Sequence, residues 1–331
     1  MQAAAESGQT GGTVFNKSSI FTLFVVLQTA IYGVGNVVTK IAYVGISPLW
    51  CAALRFGLAF LVFMLFFGPR TVRMLKSARL SSWLPSSVFM SLTYITCSIA
   101  INLTSATNAG FFIALPMLFT PVLALVLSGR KYTASTAVLQ AVVVFGLYLL
   151  CCNGGTPTFG LGELFGLASS ACFAASLVFG ERGLDDVDPI ALSTMQIGIT
   201  FLGALASAIA SEPLPDFAAV PAVSWTAIAF LACVGTCLAF FLQNTALKHV
   251  PSATISVILC AEPVFTAAVS AVALGEMLTG MGVVGAILIV ACTMVASLAD
   301  SGKSTGEILG DAFAFVRRLA PNQARRLVRS R

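Results

Sequence analysis

The amino-acid sequence predicts an all-α polytopic membrane protein with ten transmembrane helices, arranged as two inverted five-helix repeats. Three observations carry that expectation. Of the 331 residues, 58% are hydrophobic and only 9% charged, whereas a soluble domain carries about 25% charged residues. The apolar residues fall into runs close to the roughly 20 that a spanning helix needs. The two halves of the chain also match one another. Composition excludes collagen, coiled coil, disordered chain, disulfide scaffold and ordinary cytosolic enzyme. Ten spans with short loops leave no place for a second, soluble domain.

The spans follow in order from the breaks between apolar runs. The first, 20–41, carries Gln28, Tyr32 and Asn36 on one helical face, and it is too long for the apolar core of a signal peptide. Gly45 and Pro48 separate it from the second, 48–68, where Arg55 lies about two turns deep. A basic loop is expected from Pro69 to Pro85. The third span, 83–103, bears Ser87, Ser91, Tyr94, Ser98 and Asn102, whose steps of three and four put them on one face. The fourth, 106–128, contains Pro116 and Pro121, and the fifth covers 134–152. Asn153, Gly154, Gly155 and Pro157 then make a turn. The sixth, 161–180, opens on Gly162-x-x-x-Gly166, which serves either a dimer contact or packing within the chain. The seventh, 189–210, leads into a link with Pro213, Pro215 and Pro221. Gln243 lies near the end of the eighth, 223–245. Glu262-Pro263 falls halfway along the ninth, 251–273, and the tenth covers 279–298.

Charge sets the expected sidedness. With both termini in the cytoplasm, sixteen of the eighteen Lys and Arg residues fall inside, and only Lys40 and Arg55 outside. Trp50, Trp83 and Trp225 each start a span, where an interfacial indole belongs. A multi-pass protein of the plasma (inner) membrane is expected, with cytoplasmic tails over 1–19 and 299–331. The second tail is basic and is either an amphipathic helix on the inner leaflet or a disordered segment. Its charge suits a lipid surface, so no nucleic-acid partner is expected. The nine cysteines lie inside apolar runs without C-x-x-C spacing, so neither disulfides nor a metal site is expected.

The repeat shows at two offsets. An offset of 147 carries Ser105-Ala106-Thr107 onto Ser252-Ala253-Thr254, Leu115 onto Glu262 and Pro116 onto Pro263. An offset of 141 carries Ser47-Pro48 onto Asp188-Pro189 and Arg55 onto Gln196. Each half (20–152 and 161–298) therefore holds five spans, and an odd number sends the second half through the membrane in the opposite sense. Such repeats mark secondary transporters that work by alternating access, with a substrate site near the midplane.

Further residues carry a resemblance. The first half holds Gly33-x-x-Asn36-x-x-x-Lys40, Ser47-Pro48 and Ala53-Leu54-Arg55-Phe56. The second holds Ser252-Ala253, Ala261-Glu262-Pro263-Val264, Leu274-Gly275-Glu276-x-Leu278-Thr279, Gly282 and Gly285. On these motifs, over about 20–298, the chain resembles the drug/metabolite transporter superfamily, in its EamA-type branch of ten-helix carriers. The first half departs from the pattern, with Leu115 before Pro116 and Gly129-Arg130 where the second has Glu276. The resemblance implies ATP-independent export of small metabolites or drugs, often amino-acid-like.

Glu262 is the candidate for coupling. An ionised carboxylate at mid-membrane is costly, so it is neutral, paired or facing water, and such a group suits proton uptake and release. Its structural alternative is to satisfy the turn loosened by Pro263. Gln28, Tyr32, Asn36, Tyr94, Ser98 and Gln243 are the cavity candidates; inter-helix packing is the alternative, and for the serines the preferred one. Arg55, Lys40 and Arg182 are charge or gating candidates, either attracting an anionic solute, pairing with Glu212 or Asp216, or anchoring at the interface. Pro116 and Pro263 are candidate hinges or static kinks.

The expected function is secondary active transport, exporting a small metabolite or drug as a proton antiporter. The alternative is a gradient-independent exchanger or facilitator. An enzyme is not expected: the single His249 does not provide a histidine box, and no phosphate-binding loop is present. No cofactor is expected. The partners are a small-molecule substrate, the lipid bilayer and protons, with the protein a monomer or homodimer.

Overall fold

In a computed structural model, the structure describes residues 17–104, 111–129, 134–152, 159–274 and 279–300, with side chains except at 17–19, 128, 273, 274 and 297–300. The described residues form α1 (Lys17–Ala42), α2 (Pro48–Ser77), α3 (Leu80–Leu103), α4 (Pro116–Ser128), α5 (Ala134–Cys152), α6 (Leu161–Gly183) and α7 (Pro189–Ser211). Then come α8 (Ala222–Leu247), α9 (Ser252–Leu259), α10 (Glu262–Leu274) and α11 (Gly280–Asp300). Eight segments are long and apolar enough to cross a membrane, α9 and α10 counting as one; the apolar stretches Phe111–Leu127 and Gly280–Ala296 complete ten. The fold is all-helical, as the apolar runs predict. The basic tail over 301–331, and hence its helical or disordered state, lies outside the described residues, as do Arg130, Lys131, Gly275 and Glu276.

Helix starts repeat between the halves. Pro48 and Pro189 each occupy the first turn, where the missing N–H costs nothing. Asp188 caps α7 itself, accepting from the Ala191 N–H at 2.7 Å. At the matching start of α2 the cap comes from the other half: Glu212, just beyond α7, accepts from the N–H groups of Leu49 and Trp50 and from the Ser47 hydroxyl. Near the other end of the same pair, Arg70 of α2 meets Asp188 at 2.8 Å and Thr71 touches Thr194. The α2–α7 pair is thus tied at both ends.

Packing follows the repeat. Helix α3 runs along α6, and its counterpart α8 runs along α1; α2 packs on α7, α5 on α11 and α4 on α9. These contacts join the halves, so the two repeats interlock. With lipid as solvent, close approach and hydrogen bonds hold such helices together. At the α5–α11 crossing, a Cβ on Gly285 would run into the Gly146 carbonyl.

Three expectations are corrected. The loop drawn from Pro69 to Pro85 is mostly helix: α2 continues through Pro69 to Ser77 and α3 begins at Leu80, leaving a break at Ala78–Arg79. The extension carries Arg70 and Thr71 to their partners on α7, which offsets the one ladder bond Pro69 removes. The fourth span is interrupted at Ala114–Leu115 and the ninth at Cys260–Ala261, each just before its proline region, where the lost N–H breaks the ladder. The eighth span contains a π-helical turn, Cys233–Leu238. The two interruptions meet, with Cys260 Sγ 3.3 Å from the Ala114 carbonyl oxygen.

Candidate functional site

A cavity of about 480 Å³ opens between the repeats. Pro116, Glu262 and Pro263, beside the two helix interruptions, line it. Tyr32 and Asn36 of α1, Arg55 of α2 and Tyr94 of α3 form its walls. Lys40, Tyr43, Cys151 and Thr279 continue the lining to helix ends away from Arg70, Lys76, Arg182 and Lys248. The cavity therefore opens toward one end of the bundle, opposite the basic loops. The other end is packed by Val25, Leu177, Leu192, Leu247, Ile255 and Ile258.

Arg55 is held by the π turn. Its Nε donates to Thr236 Oγ1 at 2.7 Å and its Nη2 to the Gly235 carbonyl at 2.8 Å. A π turn takes backbone groups out of the regular ladder, and here one of them receives the guanidinium. The cation also lies 5.4 Å from the Phe56 ring centroid and 5.5 Å from that of Tyr94, within cation–π range. Neither Glu212 nor Asp216, the anionic partners foreseen for Arg55 and Lys40, is bonded to either. Glu212 caps α2, and Asp216 accepts from the Ala218 N–H at 3.1 Å. These two contacts leave other guanidinium donors of Arg55 in the cavity, and because both partners are neutral its charge is uncancelled.

Glu262 begins α10. Its Oε1 accepts from Asn36 Nδ2 at 2.7 Å, and the same Nδ2 reaches Thr266 Oγ1 at 3.1 Å. The carboxylate thus bonds across to α1. The loosened turn is served differently in the first repeat: Ser170 of α6 lies 2.5 Å from the Phe112 carbonyl and accepts from the Leu115 N–H at 3.2 Å. Other carboxylates are spent at helix ends. Glu163 accepts from the Gly160 N–H and Thr104, Glu181 from the Ser252 N–H, and Asp186 from Ser82. Glu262 alone among these acids lines the cavity.

The remaining sequence candidates divide. Tyr32, Asn36, Tyr94, Lys40, Pro116 and Pro263 line the cavity. Gln28 and Gln243 lie outside it, fully buried and bonded to one another at 2.7 Å. Their long side chains reach across the α1–α8 contact before they reach the opening. Ser98 is buried and donates back to the Tyr94 carbonyl. Arg182 is exposed at the basic end of α6. Gly162 packs against Thr104, just beyond α3, a contact within the chain. The π turn and its Thr236 were not foreseen; Gly235 among Cys233, Thr236 and Cys237 gives no periodic signal. Ser170 and Thr266 were also missed, each hidden in an otherwise apolar run.

Known proteins resemble this chain in sequence and fold. The model of the EamA-like transporter family matches residues 19–152 and 160–298. An uncharacterized transporter of Archaeoglobus fulgidus is 26% identical over 290 residues, covering 88% of this chain and 90% of that protein. The threonine/homoserine exporter RhtA of Salmonella typhimurium is 26% identical over 253 residues, 74% of this chain and 80% of its own. A protein of known crystal structure shares the fold at TM-score 0.72 and 19% identity, over 86% of this chain and 98% of that one.

Proposed function

The chain belongs to the EamA-like transporter family, and on that premise we propose that it exports a small zwitterionic metabolite of the amino-acid type in exchange for protons. The observation that carries the reading is the placement of Arg55 and Glu262 in one cavity, on different repeats, each bonded only to neutral groups. A carboxylate and an ammonium are the natural complements of those two side chains. The RhtA likeness supports the same class of solute and the outward direction.

Sidedness belongs to the proposal. Arg70, Arg73, Lys76, Arg79 and Lys248 mark the cytoplasmic side of a plasma membrane, so the cavity opens outward. Lys40 stands at its mouth. Tyr32 and Tyr94 line the wall between the two charges, and Asn36 orients the Glu262 carboxylate. Solute binds from inside in the alternate state, leaves from this one, and Glu262 exchanges a proton when the solute has gone. The helix interruptions beside Pro116 and Pro263 are where one half bends against the other.

The test is efflux from proteoliposomes loaded with an amino-acid mixture under an imposed pH gradient. Selective, gradient-driven loss of amino acids supports the proposal. Selective but gradient-independent loss supports the exchanger reading and removes the proton from it. Retention of every solute by correctly inserted protein contradicts it.

A further inference from the structure

The inverted repeat assigns counterparts to three residues of the outward cavity. The offset of 141 carries Gln28 onto Ser169 and Arg55 onto Gln196, and that of 147 carries Cys97 onto Asn244. Ser169, Arg55 and Cys97 line the cavity. Their counterparts Gln28, Gln196 and Asn244 are three amides, all fully buried toward the basic end. Inverted symmetry therefore turns a lining of the open side into a set of amides on the closed side.

A second observation concerns the bonding of those amides. Gln28 Nε2 donates to Gln243 Oε1, and Asn244 Nδ2 donates to Gln196 Oε1, both at 2.7 Å. Gln196 Nε2 passes the chain on to Ser86. The network is incomplete. Among the described residues seven buried side-chain polar atoms have no hydrogen-bond partner; Trp50 Nε1, Thr200 Oγ1 and Gln28 Oε1 lie on other helices, and the other four are Gln243 Nε2, Asn244 Oδ1, Thr245 Oγ1 and Ser252 Oγ. Those four cluster at the basic end of α8 and the start of α9. Unpaired buried polar atoms carry an uncompensated desolvation cost. They are satisfied if water or solute reaches them in another conformation.

We propose that Gln28, Gln196, Gln243 and Asn244 line a second cavity, open to the basic side in the alternate state, that receives the polar ends of the transported zwitterion. The inference rests on the transporter reading above. In the outward state the amides bond in two pairs, Gln28 with Gln243 and Asn244 with Gln196, and close that side. In the inward state they exchange those bonds for bonds to the solute. Amides offer both donors and acceptors without charge, so they take a carboxylate and an ammonium alike, and less tightly than ionised partners do. The counterparts of Arg55 and Glu262 are Gln196 and Leu115, so this second cavity has weaker anchors than the first. Solute enters at a weak site and is handed to the charged one.

The experiment uses full-length protein with every native cysteine except Cys97 replaced, bearing Gln28→Cys, Gln196→Cys or Asn244→Cys singly. A membrane-impermeant methanethiosulfonate is applied to inside-out and to right-side-out vesicles. Ala204→Cys, at a fully buried α7 position, is the baseline. A retained Cys97, which lines the outward cavity, reports correct folding of each variant from the other side. The expected result is labelling from the basic side alone, at roughly 0.1–10% of an exposed thiol's rate, the population of a minor conformer. Labelling no faster than Ala204→Cys at all three positions, with Cys97 reactive, overturns the inference. Solute counterflow in the same vesicles separates the two readings. Labelled amide positions without any counterflow contradict transport and leave the second cavity standing. Counterflow without labelling does the reverse.

Discussion

Arg55 and Glu262 face one cavity from opposite repeats and do not bond to each other. Arg55 is fixed by the Thr236 hydroxyl and the Gly235 carbonyl, Glu262 by the Asn36 amide. A direct ion pair would neutralise both and leave a solute nothing to displace. Neutral supports hold each side chain in place and leave its charge uncancelled. That is how a site can recognise two opposite charges on one small molecule.

Substitution Arg55→Gln removes a charge-assisted contact worth about 1.5–3 kcal/mol. The expected consequence is a KM for efflux raised roughly 10- to 100-fold, at about tenfold per 1.4 kcal/mol, with protein yield unchanged. Arg55→Lys does not rescue it, because an ammonium cannot reproduce the fork to Thr236 and Gly235. A fully active lysine variant would show that charge alone suffices at this position.

Glu262→Gln keeps an acceptor for Asn36 and the size of the side chain, so the fold survives. It removes the titratable proton. Counterflow of unlabelled against labelled solute is expected to persist at a raised KM, since the ammonium loses its charged partner, while accumulation driven by a pH gradient disappears. Gradient-driven transport at the unsubstituted rate would assign the proton to another group.

Gly33 allows α1 to approach α10. A Cβ there would strike the Phe265 Cβ and crowd the Thr266 backbone. Gly33→Ala should cost about 1–3 kcal/mol of stability through overpacking, read as a lowered melting temperature in detergent. It should also depress transport, since the Asn36–Glu262 bond spans the same contact. Wild-type melting and wild-type transport together would show that α1 and α10 move apart freely.

The two ends of the α2–α7 pair should differ in weight. Glu212→Ala strips the cap of α2 and is expected to cost about 0.5–2 kcal/mol. Arg70→Ala removes an ion pair whose arginine side chain is 60% exposed, and such pairs are worth about 0–1 kcal/mol. Thermal unfolding of both variants in the same detergent checks the order; a larger loss for Arg70→Ala reverses it.

Legibility in the sequence followed physical signal strength. Spans were readable because hydropathy sums over twenty residues, and the helix starts at Pro48 and Pro189 because proline tolerates only a few positions. Arg55 and Glu262 stood out because charge is rare in an apolar run. The extension of α2 past Pro69 was hidden, since its support comes from Asp188 and Thr194, over a hundred residues away. The π turn was hidden because a one-residue change of winding leaves no periodic trace. Gln28 and Tyr32 share a helix face, yet only Tyr32 reaches the cavity, and Gln243 on α8 decides that difference.

The central claim, that the cavity reads both ends of a zwitterion, is tested most directly by solute competition within one proteoliposome preparation. The lumen holds amino acids together with amines lacking the carboxylate and acids lacking the ammonium, on matched side chains. Mass spectrometry follows what leaves. Loss of the amino acids with retention of both half-charged analogues is the predicted result. Equal loss of the amines or of the acids would show that one of Arg55 and Glu262 does not touch the solute, and would contradict the account.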